Sequence, residues 1–292
     1  MSRRESHDSS AFYGRFSPPE LARDALVASC SAANKIILGD ARCMREVESN
    51  SVALVVTSPP YFAGKEYEAD LAAEHVPSSY LEYLKLLRDV FAECHRVLEP
   101  GGRIAVNVAN LGRRPYRSLS ADVIGILQDD LRFLLRGEIV WRKAKGSSGN
   151  CAWGSFASAA NPVLRDLTER VVVASKGRFD RAISRRQRER MGLPFQDTIP
   201  KELFLEASVD VWEIAPESAR RVGHPAPFPV ELPERLIQLY TYKDDVVLDP
   251  FVGSGTTAVA AVRTGRRYVG YDINSEYVAL AERRVAEAEL SN

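Results

Sequence analysis

No stretch of the chain approaches the roughly 20 consecutive apolar residues that a membrane-spanning helix needs. Hydrophobic residues nevertheless make up 45% of its 292 positions, enough for a sizeable core in one large domain or two small ones. The first residues, Met1-Ser2-Arg3-Arg4-Glu5-Ser6-His7, lack the apolar segment of a secretory signal. Cysteine is scarce. Cys30, Cys43, Cys94 and Cys151 are scattered, with no Cys-x-x-Cys pair. That scarcity suits a reducing cytoplasm and argues against a disulfide framework or a zinc cluster. Cys94-His95 falls in a helical pattern with no partner pair at ligand spacing, so no metal is expected. Net charge is missing as well, since Lys plus Arg and Asp plus Glu both total 39. Bulk charge therefore does not announce a polyanionic partner. Its distribution is uneven: Lys176, Arg178, Arg181, Arg185, Arg186, Arg188 and Arg190 lie close together against only Asp180 and Glu189. A second basic cluster is Arg142-Lys143-Ala144-Lys145. Such runs are either solvated surface or the footprint of a phosphate backbone.

Short β-branched runs alternate with helical patterns, which predicts an α/β sheet. Strands are expected at Lys35–Leu38, Val52–Thr57, Arg103–Val108, Gly137–Trp141, Arg170–Ala174, Val246–Leu248 and Tyr268–Tyr271. Leu81, Leu84, Leu87, Val90, Phe91, Cys94 and Leu98 recur near 3.6-residue spacing after a Ser78 or Ser79 cap, which predicts a long helix. Further helices are expected over about Ala121–Leu135, from Glu231, from Thr256, and over about Ser275–Ala288. The segment from Gly177 to Pro216 has no sustained period.

Two motifs carry chemistry. Asp249-Pro250-Phe251-Val252-Gly253-Ser254-Gly255-Thr256 closes a strand, turns on glycines and opens a helix. Glycine lets the backbone approach a ligand without a Cβ clash. The next strand ends at Asp272, near the spacing at which an acidic residue accepts hydrogen bonds from ribose hydroxyls. A P-loop is excluded because Gly255 is followed by Thr256 rather than Lys, and the three-glycine dinucleotide fingerprint is incomplete. The second motif, Thr57-Ser58-Pro59-Pro60-Tyr61, follows a buried strand. Its prolines offer no N–H, so the turn presents acceptors. The Ser58 hydroxyl and Pro59 carbonyl suit an exocyclic –NH2, and Tyr61 offers a face for a flat ring. Holding both amine hydrogens frees the nitrogen lone pair to attack a methyl sulfonium. Ser17-Pro18-Pro19-Glu20 repeats the tripeptide without a preceding strand or an aromatic residue, and reads as a plain turn or helix entry.

Together these motifs resemble those of S-adenosylmethionine-dependent DNA amino-methyltransferases, over most of the chain. Ser58 gives the catalytic motif the form more often seen in cytosine-N4 enzymes; adenine-N6 enzymes usually have an acidic residue there. His224-Pro225-Ala226-Pro227-Phe228-Pro229 is similar to the family's segment over the methionine end of the cofactor, and Cys151–Ser155 and Asn161–Asp166 also resemble family members. With the catalytic motif first and the cofactor motif last, the resemblance implies the permuted β arrangement. The fold expected is a circularly permuted Rossmann-like methyltransferase sheet, mostly parallel, with a short irregular DNA-recognition insertion. The expected division is an N-terminal arm (1–34), a catalytic half (35–177), the insertion (178–214) and a cofactor-binding half (215–292).

The resemblance implies cytosine-N4 methylation of a flipped base in double-stranded DNA, with S-adenosylmethionine as cofactor. Ser58, Pro59, Pro60 and Tyr61 are the expected catalytic residues. Asp249, Pro250, Phe251, Gly253, Ser254, Gly255, Thr256, Asp272, Phe228 and Pro229 are expected at the cofactor. Arg178, Arg181, Arg185, Arg186 and Arg188 are expected on DNA phosphates. A homodimer and a companion restriction endonuclease stay open. Rival readings are adenine-N6 methylation, an RNA or protein-amide methyltransferase, and a DNA-binding module with a dead methyltransferase fold. The permuted order disfavours the second, and intact motifs at both ends disfavour the third. Carbon-5 methylation is disfavoured because no cysteine follows a proline.

Overall fold

Among the described residues, eight strands form one sheet in the order β1-β8-β7-β2-β3-β5-β4-β6. The computed structural model describes residues 21–60, 79–110, 116–143, 154–217 and 228–291. The strands are β1 (Lys35–Leu38), β2 (Val52–Thr57), β3 (Leu98–Val108), β4 (Leu134–Lys143), β5 (Thr168–Ser175), β6 (Val211–Ile214), β7 (Val246–Asp249) and β8 (Arg267–Asp272). Strand β5 runs antiparallel to both neighbours, and all other pairings are parallel. The helices are α1 (Tyr80–Val97), α2 (Leu119–Ile124), α3 (Arg185–Arg190), α4 (Lys201–Ala207), α5 (Glu231–Tyr240), α6 (Thr256–Arg263) and α7 (Ser275–Leu290). None of the described helices is long and apolar enough to cross a membrane.

Central β2 is buried at all six positions, as expected of a parallel strand covered on both faces. Val55 enters the core beneath α1 and α2, while Leu54 and Val56 enter the core beneath α5, α6 and α7. Ser79 caps α1 by accepting from the Glu82 N–H, and the helix buries Tyr83, Leu87, Val90, Phe91, Cys94 and Val97. The permutation appears in β1, which pairs in parallel with β8 although 229 residues separate Leu38 from Arg267 in the chain. From β7 the chain winds through α6 to β8 on one side; from β2 it winds through α1 to β3 on the other. The carboxyl ends of β7 and β2 therefore flank the topological switch point, where open α/β sheets form a ligand crevice.

Three sequence expectations shift. The helix predicted to reach Leu135 ends early: α2 passes into a π-helical turn at Gly125–Asp130, and Arg132 is left-handed. Leu134 then pairs with Ser175, so sheet pairing overrides the helical period. Strand β3 begins at Leu98, because Glu99–Gly102 forms a bulge within it. Gly101 (φ +81) is required there, since a Cβ would lie 1.8 Å from the Asp180 carbonyl oxygen. Within 178–214, read as irregular, β6 pairs with β4 and buries Trp212 and Ile214.

Candidate active site

The two motifs, far apart in sequence, meet at the switch point. Thr57 Oγ1 donates to Asp249 Oδ1 at 2.7 Å, and Thr257 Oγ1 donates to Asp249 Oδ2 at 2.8 Å. The Phe251 N–H adds a third bond to Oδ1 at 3.1 Å. Asp249 is thus a buried clasp between the catalytic strand and the glycine loop, with both oxygens occupied inside the protein. Burial pushes its pKa from the ordinary 3.8 up to about 6, against the opposing pull of the threonine hydrogen bonds. A raised carboxyl pKa means that the folded state holds the proton more tightly. The stability so gained is full below the unfolded pKa and is lost as pH rises through about 6. Asp249→Asn is expected to flatten this pH dependence, which amounts to roughly 2–3 kcal/mol. Denaturant unfolding at acidic and alkaline pH measures it, and parallel slopes for parent and variant would contradict it.

Ser58 emerges directly from β2, half-buried, followed by buried Pro59 and half-buried Pro60. Tyr61 lies outside the described residues. Behind Ser58 runs a polar chain that the sequence reading missed. Asn107 of β3 donates from Nδ2 to Ser58 Oγ at 3.5 Å and to Glu169 Oε2 of β5 at 2.6 Å. Lys143 Nζ of β4 lies 3.0 Å from Glu169 Oε1. The signal for it was an asparagine inside the apolar run Ile104–Val108 and a glutamate just before Arg170–Ala174.

The glycine loop is held on every side. Gly253 (φ +47) donates its N–H to Asp272 Oδ2 at 3.0 Å, and Asn274 N–H reaches Asp272 Oδ1 at 2.9 Å. Gly255 (φ +79) opens α6, where a Cβ would lie 2.9 Å from the backbone of Ala281. Arg284 Nη1 donates to the Ser254 carbonyl at 2.5 Å. Pro250, Ser254 and Thr256 are buried, and Phe251 is half-buried. Asp272 is half-buried, and burial raises its pKa against the pull of the backbone N–H groups. An ionised carboxylate offers about four lone-pair sites, so these two bonds leave capacity for ribose hydroxyls. Phe228 packs on the α5–α7 core, and buried Pro229 leads into α5.

Two arginines of the basic segment, Arg181 and Arg188, require a correction. Arg181 and Arg188 lie at the opposite, amino-terminal end of the sheet. Arg188 is 0% exposed, with Nη1 3.0 Å from Glu99 Oε1 and Nη2 3.1 Å from Asp245 Oδ1. Arg181 pairs with the same two carboxylates, 3.0 Å from Asp245 Oδ2 and in contact with Glu99 Oε1. Each guanidinium also lies 5.3 Å from the Tyr242 ring centre. Burial would lower the Arg181 pKa, but the two carboxylates outweigh it and push it up. Two arginines buried in ion pairs cannot reach DNA phosphates. Arg178, paired with Asp180, and Arg185, paired with Asp197, belong to the same amino-terminal layer, as does exposed Arg186. For Arg181 and Arg188, charge type alone led the sequence reading astray. At the carboxyl end, by contrast, stand Arg142, Lys143 and the segment 154–167, which returns to pair Thr168 with Arg142. That segment is tied by a Gly154–Pro162 bridge and exposes Phe156 (75%) and Leu164 (94%). Cys94 is core, and His95 packs edge-on against Phe133 with its pKa pushed down by burial to about 4.

A family model described as DNA methylase matches residues 52–283. The type II methyltransferase M.MjaI of Methanocaldococcus jannaschii is 30% identical over 86% of this chain and 91% of its own length. The DNA adenine methyltransferase YhdJ of Escherichia coli K12 is 27% identical over 87% of this chain and 83% of its own. The crystal structure of TTHA0409 from Thermus thermophilus, complexed with S-adenosyl-L-methionine, superposes with a TM-score of 0.66. It is 30% identical, covering 88% of this chain and 96% of that one.

Proposed function

Because the chain belongs to the DNA methylase family, we infer that it transfers a methyl group from S-adenosylmethionine to an exocyclic amine of DNA, and we propose cytosine N4 as that amine. The observation that carries the reading is the Thr57–Asp249 bond, which sets the amine-accepting turn beside the glycine loop at the switch point. Asp272 and the glycine-loop backbone hold the cofactor in this reading, and Asp249 orders that loop through its bonds to Phe251 and Thr257. S-adenosylmethionine supplies the electrophilic methyl. Ser58 Oγ and the Pro59 carbonyl accept the amine hydrogens, and Tyr61 stacks on the base. A stacked base cannot reach such a turn, so the target nucleotide is flipped out. DNA lies across the carboxyl end of the sheet, against Arg142 and the 154–167 segment. The halves 35–177 and 215–292 meet along β2 and β7, while 178–214 braces the amino-terminal end and the sheet edge.

Cytosine is favoured by the serine at position 58. Adenine N6 is the second reading, favoured by the likeness to YhdJ, and the same two acceptors fit its amine. Incubation with methyl-labelled cofactor and DNA, followed by nucleoside analysis, is expected to yield N4-methylcytosine. N6-methyladenine would replace the cytosine assignment, and unlabelled DNA would overturn the enzymatic reading.

Asp272→Ala is expected to weaken cofactor binding by about 1.5–3 kcal/mol, or roughly ten- to a hundredfold, through loss of bonds to a charged acceptor. Isothermal calorimetry with S-adenosylmethionine reads this directly, and parental affinity would remove Asp272 from the cofactor site.

A further inference from the structure

We propose that Glu169, acting through Asn107, is a positioning residue for the Ser58 hydroxyl; the proposal rests on the reading of Ser58 as an acceptor of the target amine. Four adjacent strands contribute to the arrangement: Ser58 follows β2, Asn107 is on β3, Glu169 on β5 and Lys143 on β4. Asn107 and Glu169 are both buried, and the face of the sheet they share carries Ala105 and Val171, the latter directly opposite Asn107 on the neighbouring strand. Polar groups in such surroundings are costly unless paired, so they are placed with definite partners.

The polarity of the chain follows from its chemistry. A carboxylate only accepts, so Glu169 Oε2 at 2.6 Å fixes the Asn107 amide with Nδ2 toward it. The second Nδ2 hydrogen then points to Ser58 Oγ at 3.5 Å, and Asn107 donates to the serine rather than accepting from it. That bond takes one lone pair of Oγ and restricts hydroxyl rotation. The charge of Glu169 is balanced at 3.0 Å by Lys143, which anchors the far end. Without the carboxylate, the amide can turn its oxygen toward Ser58, the hydroxyl can donate to that oxygen, and the acceptor geometry offered to the amine is lost.

A purely structural ion pair would affect stability, whereas a positioning residue affects the chemical step. Glu169→Gln is expected to keep the affinity for S-adenosylmethionine and the KM for DNA near parental values. Its single-turnover rate is expected to fall about ten- to a hundredfold, the scale of a misplaced reacting group. Asn107→Asp sets two carboxyls within hydrogen-bond distance, and such a pair shares a proton. Its rate profile is expected to gain an ionisation that the parent lacks. Melting temperatures of both variants monitor folding, and if Glu169→Gln does not fold, the Asn107→Asp profile decides. Parental turnover in Glu169→Gln overturns the proposal. So does an Asn107→Asp rate profile of parental shape, whatever its melting temperature. Ser58→Ala, measured alongside, separates the two levels: if it turns over at the parental rate, the reading of Ser58 itself fails. If only Ser58→Ala is slow, that reading stands and the role of Glu169 falls.

Discussion

Arg188→Ala is expected to lower folding stability by about 3–5 kcal/mol, the cost of breaking a buried ion pair from one side. The variant leaves Glu99 and Asp245 buried with Arg181 as their one guanidinium partner in the cluster. It also removes the bond from Nε to the Pro194 carbonyl, 2.6 Å away, which closes the turn after α3. Chemical denaturation measures the loss. The same location makes a second forecast: Arg185 and Arg186, at the amino-terminal end of the sheet, contribute nothing to the salt dependence of DNA binding. Replacing both with alanine should leave the slope of log affinity against log salt unchanged. Replacing Arg142 and Arg165, at the carboxyl end, should flatten it by about 0.9 for each phosphate contact removed. Reversal of these two outcomes would return the DNA to the 178–190 segment.

Ser58→Ala is expected to slow methyl transfer by roughly 2–4 kcal/mol of barrier, by analogy with loss of one preorganised group aimed at the transition state. Cofactor affinity should stay near the parental value. Ser58 is held by Asn107 on one side and enters the turn beyond Thr57 on the other, while the glycine loop is fixed independently by Asp249, Asp272 and Arg284. Single-turnover rates with calorimetry on the same preparation distinguish the two effects. Weak cofactor binding with an unchanged transfer rate would place Ser58 in the cofactor pocket instead.

Strands β1 and β2 were legible to the residue, because each is a short apolar run closed by a local signal: Gly39 after β1 and the prolines after β2. The order of the motifs, taken with the family resemblance, was enough to anticipate the permuted sheet. What escaped was long-range pairing between charges. Arg181 lies 82 residues from Glu99 in sequence, and Arg188 lies 57 from Asp245; nothing local marks them as partners. Strand β6 escaped because Val211-Trp212-Glu213-Ile214 is too short to show its alternation above the surrounding irregular chain. Asn107 and Glu169 escaped because a polar residue within an apolar strand reads as noise until its cross-strand neighbour is known.

The bond from Thr57 to Asp249 spans 192 positions of chain. On a ribosome adding roughly 5–20 residues per second, β2 is complete roughly ten to forty seconds before β7 exists to pair with it. For that interval Val52-Ala53-Leu54-Val55-Val56-Thr57 is an apolar strand with an open edge, the kind of segment that recruits other chains. Contacts of such high sequence separation also fold slowly. Production at lower temperature or with an added holding chaperone, which shields nascent β2 over that interval, is expected to raise the soluble fraction.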